Sequence, residues 1–429
     1  LSAKPNSDGL TPVSKDGDPD APLKEARLPV NIPPESKSLS CVVGGKTTCR
    51  GRLHTECLDA TKERAARRGL PRRLGSFLLI GVVSVSLGEL ALRLYNRVSP
   101  SFIFYDDSYN RFRSRPHMWV HGFMTNSLGF LDTEPTAEKG NRFRILGIGD
   151  SFSWGVVPYE SNYLTVLEEV LSARDPRVEV VNMGIPATGP PDYLAILVNE
   201  GLALDPDMVV LSFFVGNDFT ERQRQAALHD RFYVVALARY ALALRPHFEG
   251  VPSKDSPYDD DEPTLDEDAF LAVERRRSVI YTAQADDFML LLKESFEPLL
   301  EMQRVCSSRN IDLVVVLIPD ELQVNQQLQA TVAASLSLQL QDIDWARPNR
   351  MLAEALSQAG VSAVDLLPRF AELGASQRLY KPRNTHWNIA GNRLAAELIA
   401  EALARRYGAT GPGAGSATGP EAWSGSSDD

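Results

Sequence analysis

Cysteine is nearly absent from this chain, with four among 429 residues. Cys41, Cys49 and Cys57 are evenly spaced near the start but form no Cys-x-x-Cys pair, so they lack the usual spacing of a zinc site. Cys306 falls on the apolar face of a helical stretch and reads as core, which leaves the main domain one thiol and no disulfide of its own. No Gly-rich phosphate loop of the dinucleotide or P-loop type follows any apolar run. That disfavours a flavodoxin-like binding protein, and neither cofactor nor metal is expected. Positive charge is not in excess either: the net charge is −11, and the folded part is the acidic part. A nucleic-acid partner is therefore not expected. No internal repeat is visible. No methionine precedes Met118, so the first segment is expected to be a fragment, the product of an unusual start codon, or translated upstream sequence.

What is present divides the chain. Residues 1–73 are rich in Pro, Ser, Gly and charge without periodicity, and 408–429 are Gly/Ala/Ser/Pro low complexity; both compositions predict disorder. Lys62, Arg64, Arg67, Arg68, Arg72 and Arg73 precede an apolar segment, 74–95, interrupted only by Glu89 and Arg93. About 20 apolar residues with positive charge on the cytoplasmic side make a membrane anchor. The N-terminus is then cytoplasmic and the rest of the chain lies outside, in the periplasm if the membrane is an inner one. A cleaved signal, with Ser84-Val85-Ser86 at the cleavage site, and a soluble amphipathic helix are the alternatives. Residues 96–141 read as a lead-in, and 142–407 as one domain of ordinary size with an insertion at 219–295.

Five β-rich runs cross that domain: Arg144 to Ile148, Val178 to Val181, Met208 to Phe214, Leu313 to Ile318 and Val361 to Leu366. Helical spacing fills the gaps at Leu164 to Leu171, Asp192 to Leu202, Phe296 to Val305, Asn349 to Ala359 and Ile389 to Tyr407. This alternation predicts an α/β fold, three-layer and doubly wound, with a five-stranded parallel sheet of the flavodoxin-like kind. Within the insertion, a helix is expected around Phe232 to Leu244, and the acidic stretch Asp255 to Asp268 is either a lid or a solvated loop without a role.

Chemistry concentrates after the strands. Gly149-Asp150-Ser151 places a serine directly after the first run and before a glycine-punctuated turn, at the sheet edge where open α/β folds bind ligands. A helix N-terminus nearby favours developing negative charge. The second run ends in Asn182-Met183-Gly184-Ile185-Pro186-Ala187-Thr188-Gly189, a turn rich in backbone N–H groups. The third ends in Gly216-Asn217-Asp218, whose amide can donate to an oxyanion. Near the C-terminus, Asn384-Thr385-His386-Trp387 supplies an imidazole that titrates close to neutrality, as a serine's general base requires.

In this order the four blocks resemble the SGNH, or GDSL-type, hydrolase superfamily over roughly residues 120 to 407. Asn126-Ser127-Leu128-Gly129-Phe130 looks like the lead-in of bacterial membrane-anchored members, and His386-Trp387 is similar to the pairing in the alginate O-acetyltransferase branch. The resemblance implies Ser151 as nucleophile, His386 as base, and an oxyanion hole made of the Ser151 N–H, the Ala187 N–H and the Asn217 amide. Two departures stand out. Ala187 replaces a usual glycine, and the aspartate two or three residues before the histidine is replaced by Asn384 and Arg383. An amide can orient the ring but supplies no charge, and in a serine triad that exchange costs about 10⁴ in turnover. Asp365, after the fifth run, is an alternative acid.

The leading reading is a serine esterase or O-acyl (acetyl) hydrolase working through an acyl-enzyme on an acylated small molecule, glycan or lipid. A polysaccharide O-acetyltransferase uses the same residues. A catalytically silent glycan-binding module that kept the fold and lost the acid is the third reading. Oligomeric state is open.

Overall fold

The computed structural model describes residues 53–136, 138–221, 232–244, 247–252 and 255–407, with side chains from 75 onward. The chain divides into two compact units at Leu74. The expected disorder of 1–52 and 408–429, and Cys41 and Cys49, lie outside the described residues, as does the Cys57 side chain. Residues 53–73 were expected to be disordered too, yet helix α1 runs from Leu53 to Val98. The Ala, Lys, Glu, Arg and Leu content of its first half has the helix propensity to carry it. Its Gly75–Val98 segment has a mean hydropathy of 1.9, with none of its apolar window buried, and is long and apolar enough to cross a membrane.

The core is a parallel sheet of five strands: β1 Phe143–Ile148, β2 Val178–Asn182, β3 Met208–Phe214, β4 Asp312–Ile318 and β5 Ser362–Asp365. Their order is β2-β1-β3-β4-β5, the doubly wound arrangement expected. β1 to β4 are almost wholly buried, because helices cover both faces and leave no position for a polar residue to meet water. β5, at the edge, alternates between half-buried and exposed.

Helix α2, Ser151–Trp154, is a single turn after β1; α3, Tyr163–Ser172, follows it and is capped by Asn162. The helix expected over Leu164 to Leu171 is thus α3, preceded by a 3₁₀ turn at Tyr159–Ser161. Helix α4, Pro190–Asn199, follows β2. Between β3 and β4 lie α5, Tyr233–Ala241, α6, Glu267–Arg277, and the long α7, Ala285–Ser308. α7 starts well before the helical spacing read at Phe296, and it passes through Pro298, which removes one ladder hydrogen bond. Cys306 is fully buried on it, and burial pushes its thiol up to about 12. Helices α8, Arg347–Gln358, and α9, Ile389–Tyr407, complete the layers.

The strand order reverses at β1, with β2 on one side and β3 on the other. The crevice at their carboxyl ends is where such sheets bind ligands. Ser151 follows β1 and Asn217 follows β3, so both stand at that switch point.

Candidate active site

Asp150 N-caps α2, its side chain accepting from the Phe152 N–H at 2.9 Å, and so makes Ser151 the first helical residue. The turn is tethered from below: Asn162 and Asn182 both donate to the Ser153 carbonyl, at 3.0 and 2.7 Å. Gly155 closes it at φ +88°, a conformation that L side chains rarely adopt. Gly184 lets the second loop approach, since a Cβ there would lie 2.2 Å from the Trp154 nitrogen. These constraints fix the serine's presentation before any substrate arrives.

The histidine arrives from the far end of the chain. Tyr380 and Trp387 form an antiparallel bridge, and the loop between them is closed by the Lys381 N–H donating to the His386 carbonyl at 3.0 Å. Trp387 is buried against Phe370, and Phe152 lies 4.9 Å from both the His386 and the Trp387 rings. The imidazole Nε2 is 2.7 Å from Ser151 Oγ, and Nδ1 is 2.7 Å from Asn384 Oδ1. The His386 backbone N–H also donates to Asn384 Oδ1, at 3.0 Å. A backbone N–H can only donate, so the atom facing it is the amide oxygen, and Nδ1 must carry the proton. Nε2 is then the acceptor for the serine hydroxyl. Burial of the ring, with Arg277 nearby, pushes His386 down to about 3, so the imidazole stays neutral across the physiological range.

Asp365 has no part in this chain of hydrogen bonds. It accepts from Asn349 Nδ2 at 2.7 Å and from the Leu367 N–H at 3.0 Å. Arg383 takes a left-handed conformation at φ +45° and is exposed, its carbonyl accepting from the Leu265 N–H at 3.1 Å. Among the described residues, no carboxylate hydrogen-bonds His386.

The other residues expected to form the oxyanion hole, Ala187 and Asn217, follow the neighbouring strands β2 and β3. Past the end of β2, the Met183 and Ile185 N–H groups donate to the Gly147 and Gly149 carbonyls at 2.8 and 3.1 Å, which carries Ala187 up beside the serine turn. Ala187 is exposed and left-handed at φ +56°. Here the chain uses alanine in a conformation that suits glycine, at a cost of roughly 1–2 kcal/mol. Asn217 donates from Nδ2 to Glu221 Oε1 at 3.0 Å, and its amide also interacts with the buried Asp150 carboxylate. Burial, followed by the nearby Asp150, pushes Glu221 up to about 7. A cleft of about 690 Å³ opens between α4 and α7, with Pro190, Asp192, Asp218 and Glu221 on its wall.

Three residues of the insertion escaped the sequence reading. Thr264 Oγ1 accepts from Asn384 Nδ2 at 2.7 Å and so fixes the amide. Glu221 holds Asn217. Arg277 lies 4.9 Å over the Phe214 ring, with Nη1 3.6 Å from Glu274 and 3.9 Å from Asp320. None belongs to a local motif that could have marked it. The acidic stretch is packed as a strap along the histidine loop. Thr264 N–H donates to the Pro382 carbonyl at 3.3 Å, Asp260 accepts from the Ile389 N–H at 3.1 Å, and Arg378 pairs with Asp261. No group of three or more His, Cys, Asp or Glu side chains suited to a metal ion occurs among the described residues.

Residues 280–425, about a third of the chain, match the family model of the SGNH hydrolase-like domain of the acetyltransferase AlgX. That stretch is therefore similar to an SGNH hydrolase-like domain. The matched stretch contains Asn384 and His386, while Ser151 lies outside it. No curated protein matches the chain. Among solved structures, the acetyl xylan esterase AlAXEase is 16% identical, with 61% of this chain and 99% of that one covered at a TM-score of 0.33. A lipase/acylhydrolase from Enterococcus faecalis is 15% identical, with 62% and 96% covered, also at 0.33. At these scores neither carries an argument about this chain's chemistry.

Proposed function

We propose that this SGNH-type enzyme transfers an acyl group through an acyl-enzyme on Ser151, with His386 as general base and Asn384 orienting the ring. The observation that carries the reading is the unbroken line Ser151 Oγ, His386 Nε2, His386 Nδ1, Asn384 Oδ1, with both links at 2.7 Å. His386 removes the hydroxyl proton as Oγ attacks an ester carbonyl. The N–H groups of Ser151 and Ala187 and the Asn217 amide hold the tetrahedral oxyanion. Collapse expels the alcohol, protonated by His386, and water or a second hydroxyl then takes the acyl group from Ser151.

The AlgX match favours an acetyl group as the acyl unit and a carbohydrate hydroxyl as donor or acceptor. The anchor reading of α1 puts the reaction outside the cytoplasm, since the basic cluster from Lys62 to Arg73 stays inside.

A fluorophosphonate probe reports an activated serine without a guess at substrate. One label per chain, located on Ser151 by peptide mapping, is the expected result; an unlabelled, folded protein would leave the silent glycan-binding module as the reading. For Asn217→Ala, loss of one oxyanion donor is expected to lower kcat by about 10²–10³ with KM little changed. Steady-state kinetics on a short acyl ester checks this, and a rise in KM alone would make Asn217 a ground-state contact instead.

A further inference from the structure

Helix α5 is apolar along almost its whole length, yet none of its residues is buried. The apolar run continues past its end through Leu242 and Leu244, which are 67% and 59% exposed. A surface helix normally turns one apolar stripe inward and a polar face to water; a helix apolar on every side belongs in protein or in lipid.

Beside α5 stands the apolar segment of α1. A Cβ on Gly88 would lie 3.7 Å from Val234 Cγ2, so the two helices meet at a residue without a side chain. Glu89 accepts from the Tyr233 and Val234 N–H groups at 3.1 and 2.9 Å, and from Arg93 Nε at 2.7 Å. Those N–H groups open the first turn of α5 and have no partners within the helix. Asn96, buried, donates to the Tyr233 and Tyr105 hydroxyls at 3.1 and 3.2 Å. Phe104 stacks on Tyr233 at 4.4 Å, and Phe102 meets Tyr240 edge-on at 5.4 Å. Residues 89–105 and α5 are therefore one packed body.

We infer that α5 is a second membrane contact: it lies in the interface of the same bilayer that α1 crosses, with Glu89 as its N-terminal cap. The inference rests on the reading of α1 as a span. Glu89 lies about 14 Å before the end of α1, at 1.5 Å per residue, inside the segment apolar enough to cross. A carboxylate at that depth is expensive unless it is paired, and α5 supplies the donors. Tyr95, Phe102, Tyr233 and Tyr240 form the aromatic set usual at the headgroup level. Arg304 of α7 donates to the Arg97 carbonyl at the end of α1, so this body is joined to the helices that cover the sheet. Two attachments fix the tilt of the domain, where one helix alone would leave it free to swivel. Ser151 then meets its ester at a set height above the membrane.

The test uses the full chain with Cys41, Cys49 and Cys57 replaced by serine and the buried Cys306 kept. An environment-sensitive fluorophore is attached in turn to Leu242→Cys, Leu87→Cys on α1 and Ser357→Cys on α8. Each protein is reconstituted in phosphatidylcholine vesicles with and without bromine on the acyl chains. The Leu242→Cys and Leu87→Cys probes are expected to lose roughly half their emission or more, as at a depth of about 5–10 Å below the headgroups. The Ser357→Cys probe is expected to lose none. Quenching at Leu87→Cys without quenching at Leu242→Cys overturns the inference and leaves the anchor standing. So does a Leu242→Cys probe shielded from water yet unquenched, which would mean that a second copy or another protein covers α5. No quenching at either site overturns the anchor together with the inference. Adding Glu89→Leu, which makes α1 more apolar, is expected to keep the Leu87→Cys quenching and bring Leu242→Cys toward the Ser357→Cys level. Unchanged quenching at Leu242→Cys in that variant removes Glu89 as the cap.

Discussion

Ser151→Ala is expected to reduce turnover of short acyl p-nitrophenyl esters by at least about 10², and by as much as about 10⁶, with the fold unchanged. In a fully charged triad, loss of the nucleophile alone costs about 10⁶ in kcat, while loss of the acid alone costs about 10⁴. If Asn384 were no better than an absent acid, the parent would already stand only about 10² above the serine-less enzyme. Asn384 does more than that, because its oxygen holds Nδ1 at 2.7 Å and keeps Nε2 free to accept from Ser151. The margin should therefore exceed the lower bound. The hydroxyl's hydrogen bond is to His386 alone, and α2 is held by Asp150, Asn162 and Asn182, so thermal stability should be close to that of the parent. Ser151→Ala combined with His386→Ala should be no slower than either single variant, because the two act as one unit. Equal kcat/KM in parent and Ser151→Ala, measured on the same ester, would sink the acyl-enzyme mechanism.

The sheet was legible because its inner strands are covered on both faces. Val178 to Val181 and Leu313 to Ile318 read as short unbroken apolar runs, and only a parallel sheet between helix layers buries such runs whole. Helix ends were less legible: the spacing read from Phe296 missed the first half of α7, whereas that from Leu164 falls one residue inside α3, which Asn162 caps. Ser151 was legible because it comes just after a strand and before a glycine-punctuated turn, and Asn384 and His386 because they stand just before the last helix, in the order of the blocks. Thr264 and Arg277 were not, since Thr264 meets Asn384 across 120 residues and Arg277 reaches Phe214 and Asp320 only through the fold; Glu221 lies four residues from Asn217 but belongs to no motif. The left-handed backbone of Ala187 is a further case: the sequence shows an alanine, but only the structure shows that it takes φ +56°.

The sharpest consequence of that geometry concerns the missing charge. Asn384→Asp is expected to raise kcat, because a carboxylate oxygen would stand where the amide oxygen already lies, 2.7 Å from Nδ1. Replacing a neutral acceptor by a charged one strengthens a hydrogen bond by about 1–1.5 kcal/mol, or roughly tenfold in rate if the gain appears only with the imidazolium. The ceiling is about 10⁴, the cost of the reverse exchange in a serine triad. The second carboxylate oxygen would face Thr264 Oγ1, now 2.7 Å from the amide nitrogen, and a hydroxyl that accepts from an amide can turn to donate to a carboxylate. The exchange is therefore isosteric and satisfied at both ends. Its pH signature follows from sign: His386 is held down to about 3 by burial and then by Arg277, so the parent's base stays neutral and active well into acid. An anion at residue 384 favours the imidazolium, raises the His386 pKa, and moves the acidic limb of the pH–rate profile upward. A faster enzyme with a right-shifted acidic limb is the joint result expected from kcat/KM measured between about pH 4 and 8. A faster enzyme with an unmoved limb would place the gain outside His386, and a slower one would mean that Ser151 depends on the neutral amide itself.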